Sequence, residues 1–170
     1  MRVKVTEKEV LDPLAETAAE KIEISQIPGK IDRITYFDNT KPNADVILDT
    51  IQENIKINHI KAIKPAGAPA ADEQMNEAKK GDVVLLALGD CGSCATWVIL
   101  DAIRLEKEGK PTICICTHKF TDYAYSLAKA QGTEELRIVE IEHPIAGLEE
   151  NAVKVKTEKI IPEIKKLLKI

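Results

Sequence analysis

Val83-Val84-Leu85-Leu86-Ala87-Leu88-Gly89-Asp90-Cys91-Gly92-Ser93-Cys94 is the stretch on which the fold turns. Val83 to Leu88 is apolar without interruption, and a run of that length reads as a strand covered on both faces. Gly89 to Cys94 ends the run, and a helical pattern follows from Ala95 to Glu108. A buried strand that turns directly into a helix is the first half of a βαβ unit, whose next strand runs parallel to it.

The same rhythm extends in both directions. Upstream, Ile31 to Phe37 is β-branched and aromatic, as strands are. Asp38 to Asn43 is a polar loop, and Ala44 to Ile57 carries Val46, Ile47, Ile51 and Ile55 at helical spacing. His59 to Lys64 reads as a second strand, Pro65 to Ala70 as loop and Ala71 to Lys80 as helix. Downstream, Pro111 to Cys116 is a strand, Thr117 to Thr121 a loop and Asp122 to Gln131 a helix. Leu136 to Ile141 is the fifth strand and Glu142-His143-Pro144 the loop after it. A last helix places Ile160, Ile161, Ile164, Leu167 and Leu168 on one stripe, with Pro162 expected to kink it or mark its start. The pattern predicts a three-layer, doubly wound α/β fold with five parallel strands. The flavodoxin-like order 2-1-3-4-5 is expected, with a Rossmann-like order as the alternative. Residues 30–170 form one domain in this reading. Residues 1–29 form an arm packed on it, with turn signals at Asp12-Pro13 and Pro28-Gly29 and a short helix over 14–21.

Composition narrows the function. The 170 residues carry 24 Lys plus Arg against 28 Asp plus Glu, a net charge of −4, which disfavours nucleic acid as a partner. No apolar run approaches the ~20 residues needed to span a bilayer. The N-terminus turns charged at once and lacks a signal-peptide core, so the expected compartment is the cytoplasm. There, four cysteines point to chemistry or metal rather than disulfides. There is no G-x-x-x-x-G-K-[ST] loop, no G-x-G-x-x-G after the first strand and no G-x-S-x-G elbow, so no nucleotide site or serine hydrolase is indicated.

Ligands of open parallel sheets bind beyond the carboxyl ends of the strands, near the switch in strand order. The loops there hold Asn39, Thr40 and Lys41 after the first strand, and Cys91, Gly92, Ser93 and Cys94 after the third. Cys116, Thr117 and His118 follow the fourth strand, and His143 the fifth. Cys91 should sit at a helix N-terminus, where free N–H groups and the dipole favour a thiolate. Cys94 can resolve a mixed disulfide or a sulfenic acid. Gly89 and Gly92 permit a tight backbone, and Ser93 can cap the helix or donate to an oxyanion. Lys41 can lower the thiol pKa or hold an anionic substrate, and His118 can serve as a proton donor. Asn43 can cap the helix after the first strand. Cys114 reads as core. Zinc on Cys91, Cys94, Cys116 and His118 is a competing reading.

The paired segments Asp38-Asn39-Thr40-Lys41-Pro42-Asn43-Ala44-Asp45 and Gly89-Asp90-Cys91-Gly92-Ser93-Cys94 resemble the UGSC family of selenoproteins and their cysteine homologues, from about Pro28 onward. That resemblance places Cys91 where some members carry selenocysteine and makes Cys94 its pair. It implies thiol or selenol chemistry at Cys91 and names no substrate. Cys114-Ile115-Cys116-Thr117-His118 is also similar to the Cys-Thr-His segment of aspartate/glutamate racemases. Those enzymes use two cysteines as acid and base in two pseudo-symmetric domains, so a homo-oligomer or fused partner would have to complete such a site here.

Three functions follow as expectations. The first is a thiol oxidoreductase on a small anionic substrate, without a bound organic cofactor, served by an external reductant or partner protein. The second is a cysteine-dependent lyase, isomerase or racemase on a small carboxylate, with Cys91 and Cys116 as acid and base. The third is a zinc-binding or subunit module of a larger complex.

Overall fold

Alternation within the strands builds two cores, one on each side of a single sheet. The structure is a computed structural model and describes residues 20–170. Its elements run β1 (Arg33–Asp38), α1 (Ala44–Asn54), β2 (Asn58–Ile63), α2 (Asp72–Ala78), β3 (Val83–Gly89), α3 (Gly92–Lys107), β4 (Thr112–Thr117), α4 (His118–Ala130), β5 (Arg137–Ile141) and α5 (Glu150–Leu168). All strand pairs are parallel, and the order is β2-β1-β3-β4-β5. The flavodoxin-like order therefore holds, and the Rossmann-like alternative does not.

Every residue of β3 is buried, as its unbroken apolar run requires. Val83, Leu85 and Ala87 face α1 and α5, packing with Ile47, Ile51, Ile160 and Ile164. Val84 and Leu86 face the other way, toward α2, α3 and α4, with Met75, Val98, Ile99 and Ala124. β4 divides likewise. Ile113 and Ile115 join the first core, and Cys114 and Cys116 the second. Burying each such aliphatic side chain contributes about 1.5–3 kcal/mol, so the two cores carry most of the driving force.

Some boundaries differ from the sequence reading. α3 begins at Gly92 rather than Ala95, because the Cys91 side chain caps it. α4 begins at His118, so the expected loop over Thr117 to Thr121 is the helix's first turn. Pro162 neither starts nor ends α5, which runs from Glu150 through it to Leu168. The short helix expected over 14–21 lies, except for its last two residues, outside the described residues. From residue 20 the chain packs on the domain. Ile27 is buried, the Ile22 N–H donates to the Gly132 carbonyl at 2.8 Å, and the Ser25 N–H donates to Glu106 Oε2 at 2.6 Å.

A charged pair lies inside the second layer. Lys64 Nζ stands 2.5 Å from Asp101 Oδ2 with both side chains fully buried, an ion pair too oblique for an aligned hydrogen bond. Asp101 also accepts the Ala70 N–H at 2.9 Å. Burial pulls the Lys64 pKa below its ordinary value, against the opposing pull of Asp101. Lys64 follows β2 directly, so the pair ties the sheet edge to α3 behind the Cys91–Cys94 turn.

Candidate active site

β1 and β3 are neighbours whose chains leave toward opposite helical layers, and their carboxyl ends carry the two unusual loops. Asn39 explains how those loops are locked together. Its side chain is fully buried, its Nδ2 donates to the Leu88 carbonyl at 2.9 Å, and its Oδ1 accepts the Leu88 N–H at 2.8 Å. A side-chain amide thus continues the β1–β3 ladder one step beyond the end of β1. Asn39 is expected from sequence to bind substrate; the structure seals it beneath the site, where it positions the turn that carries Cys91.

Cys91 is the N-cap of α3. Its Sγ accepts the Cys94 N–H at 3.4 Å and lies 2.7 Å from Cys94 Sγ. Lys41 Nζ approaches it at 3.8 Å and Ser93 Oγ at 3.6 Å. Both cysteines are free thiols; Cys91 is half-buried and Cys94 buried. Partial burial works against ionising Cys91. It is outweighed by hydrogen bonds from the Cys94 thiol, the Ser93 hydroxyl and the Cys94 N–H, with the Lys41 charge added, and the pKa falls below the ordinary thiol value. Burial first, and then the neighbouring Cys91, push Cys94 up to about 11. One thiol of the pair is set to ionise and the other to stay protonated and donate to it.

The two glycines differ. A Cβ on Gly89 would lie 2.5 Å from Cys116 Sγ and 3.2 Å from Ala95 Cα, so glycine is required there by close packing. A Cβ on Gly92 would meet nothing within 4 Å. Gly92 therefore does not serve a tight backbone; it leaves open space beside Cys91. Ser93 is exposed next to it. Thr40 is also exposed, and its hydroxyl donates to the Lys64 carbonyl at 3.3 Å.

Cys116 does not reach the rim. It is fully buried beneath Gly89, and burial pushes its pKa up to about 12. The cause is strand alternation, which turns Cys116 inward with Cys114 against α3 and α4. That removes the acid–base partner on which the racemase-like reading depends. The zinc reading loses the same ligand. Among the described residues no three His, Cys, Asp or Glu side chains converge to hold a metal ion.

A second polar cluster adjoins the thiols, and its central residue, Asp90, has no role in the sequence reading. Asp90 is buried, and its Oδ1 accepts from His143 Nδ1 at 2.8 Å. Its Oδ2 accepts the Ala146 N–H at 2.8 Å and the Ile145 N–H at 3.4 Å. Thr117, also buried, places Oγ1 3.2 Å from His143 Nδ1 and donates to the Gly89 carbonyl at 3.4 Å. His118 is exposed, and its Nδ1 accepts the His143 N–H at 3.0 Å. Asn43 grips the same loop from the other side. Its Nδ2 donates to the Ile145 and Leu148 carbonyls, both at 3.0 Å, instead of capping α1. One signal for Asp90 was present. A carboxylate beside a thiolate opposes its ionisation, so Asp90 next to Cys91 had to be turned aside onto a partner.

The match to the UGSC family model covers residues 9–170. The chain belongs to the UGSC family. Within that membership, Asn39 to Asn43 and Cys91 to Cys94 are the two segments the fold locks together through Leu88. A flavodoxin of Streptococcus pneumonia TIGR4 is a similar solved structure. It is 12% identical with a TM-score of 0.44, over 79% of this chain and 97% of that one. No curated protein matches the chain closely enough to count as a relative. No helix among the described residues is long and apolar enough to cross a membrane.

Proposed function

We propose that this chain is a thiol-dependent redox enzyme acting on a small anionic substrate, with Cys91 as nucleophile and Cys94 as resolving thiol. The observation that carries the reading is the placement of the Cys91 sulfur. It caps α3, remains accessible, and stands within 4 Å of a lysine ammonium and of a second thiol. A thiolate there is stabilised by the helix N-terminus and by Lys41, and the same groups attract an anionic substrate.

The Cys91 thiolate attacks an oxidised sulfur of the substrate, forming a mixed disulfide and releasing one reduced fragment. Cys94 attacks Cys91 Sγ, forming the Cys91–Cys94 bond as the mixed disulfide breaks, and its proton leaves with the second fragment, which departs as a thiol. The enzyme gives up two electrons, and an external thiol reductant returns them. No residue in this scheme calls for a bound organic cofactor.

The test is to follow Cys91 alkylation by iodoacetamide against pH, by peptide mass spectrometry, alongside single-turnover disulfide reduction by wild type and Cys91→Ser. The reading requires an inflection below the ordinary thiol range and loss of reduction in the variant. An ordinary inflection, or reduction that survives Cys91→Ser, ends it.

A further inference from the structure

Linked to the thiol pair through Asp90, the residue before Cys91, the structure holds a histidine–carboxylate dyad that the redox scheme above leaves unused. His143 is fastened on its Nδ1 side to Asp90 Oδ1 at 2.8 Å. A carboxylate only accepts, so Nδ1 carries the proton in that contact and Nε2 is the ring position left over. Nε2 makes no hydrogen bond among the described residues, and the His143 side chain is 31% exposed. The dyad is bolted to the segment that carries Cys91. Asp90 precedes Cys91 directly, and Thr117 joins His143 to the Gly89 carbonyl. Asp90 is held by two further N–H groups, and the His143 N–H by His118. His118 and Phe120 meet the imidazole edge-on, at centroid separations of 6.2 and 6.0 Å. This is far more restraint than a surface loop histidine needs. A buried carboxylate that fixes the tautomer and orientation of an imidazole is the arrangement that suits the ring to give and take a proton at its other nitrogen.

We infer that His143 is the general acid of this site, protonating the sulfur that leaves when Cys91 attacks, and that Asp90 is its positioning residue. The inference rests on the thiol reading above and sharpens its substrate class. Aromatic thiolates of low pKa leave unaided, whereas an aliphatic thiolate, with a pKa near ~8.5, leaves slowly unless protonated. A built acid is therefore of use only toward an aliphatic disulfide. Combined with the cation at Lys41, the substrate class is a small aliphatic disulfide bearing carboxylates. In the step, the Cys91–substrate S–S bond forms as the substrate S–S bond breaks. The leaving sulfur takes the electron pair of the broken bond together with the Nε2 proton of the His143 imidazolium, and departs as a neutral thiol.

The experiment compares two probes on one protein in single turnover: an aromatic disulfide, dithiobis(nitrobenzoate), and an aliphatic one, dithiodiglycolate. His143→Gln is expected to slow the aliphatic probe roughly 100-fold while leaving the aromatic probe within about twofold. Asp90→Asn is expected to show the same selectivity more weakly, and it decides the matter should His143→Gln not fold. An unchanged ratio of the two rates, or an equal fall with both probes, overturns the assignment. Loss of both reactions in Cys91→Ser with an unchanged ratio in His143→Gln overturns this inference and leaves the thiol reading intact. Survival of both reactions in Cys91→Ser removes the thiol reading itself.

Discussion

Cys91 and Cys94 sit on a turn into a helix; Cys114 and Cys116 sit in the neighbouring strand β4. Cys91 stands at the rim while Cys114 and Cys116 lie beneath it in the core, and their chemical fates are opposite. Helix capping holds Cys91 outward, and its neighbours draw its pKa down. Strand alternation turns Cys114 and Cys116 into hydrocarbon, where burial drives both thiols up, Cys114 well above its ordinary value and Cys116 to about 12. Residue type is thus a poor guide to reactivity. What sets Cys91 apart is that hydrogen bonds at the start of α3 and the Lys41 ammonium outweigh its partial burial, whereas the single Gly89 N–H offered to Cys116 does not outweigh complete burial.

The sharpest way to break that contrast is competitive alkylation. In native protein at neutral pH, Cys91 should label first, with Cys114 and Cys116 roughly a thousandfold slower, because their modification waits on opening of the core. Peptide mass spectrometry over a time course reads the order, and equal labelling of the two pairs would remove the distinction.

The two glycines probe the same boundary from the backbone side. Gly89→Ala drives a methyl into Cys116 Sγ and the α3 backbone, and should cost about 1–3 kcal/mol in denaturant unfolding. Adding Cys116→Ala should recover part of that loss in a double-mutant cycle. Gly92→Ala meets open space and should change stability by less than about 0.5 kcal/mol.

Alkaline pH tests the inward pair. A thiol whose folded pKa is raised contributes stability that is fully present below its unfolded value and is lost as pH climbs through the folded one. For Cys116 the window runs from the ordinary 9.0 to about 12. Unfolding midpoints should fall across it, with a shallower slope in Cys116→Ala than in wild type.

The smallest effect on rate belongs to Lys41. Removing an ammonium 3.8 Å from the thiolate forgoes about 1 kcal/mol of attraction in a water-like dielectric. Lys41→Gln should therefore slow Cys91 alkylation near neutrality about fivefold and move its pH profile upward. An unchanged profile would assign Lys41 to the substrate alone.

The contrast also shows how far one dimension of information reaches. The apolar run Val83 to Leu88, the period of 3.6 in the helices and the period of 2 in the strands follow from local chemistry. They carried the element order and the capping position of Cys91, and left the sheet order between a flavodoxin-like expectation and a Rossmann-like alternative that the structure decided. The helix start at His118 was lost because Thr117 to Thr121 lacks an apolar stripe of its own, and the first turn of α4 is held by β4 and by His143. Asn39, Asp90 and Asn43 sit in plain polar loops, and their partners, Leu88, His143 and Ile145, lie 49, 53 and 102 residues away.

By itself, then, the chain's pattern of polar and apolar residues determined a parallel α/β sheet and brought one family motif to the rim where such sheets bind ligands. Only the tertiary structure decided which rim residues face that space. It sank Asn39 and Cys116, raised His143 on the Asp90 carboxylate, and set Lys41 against the Cys91 sulfur. The reason is physical. Periodicity is set by neighbours along the backbone, whereas a side chain's charge state and partners are set by groups that only folding brings within hydrogen-bond range.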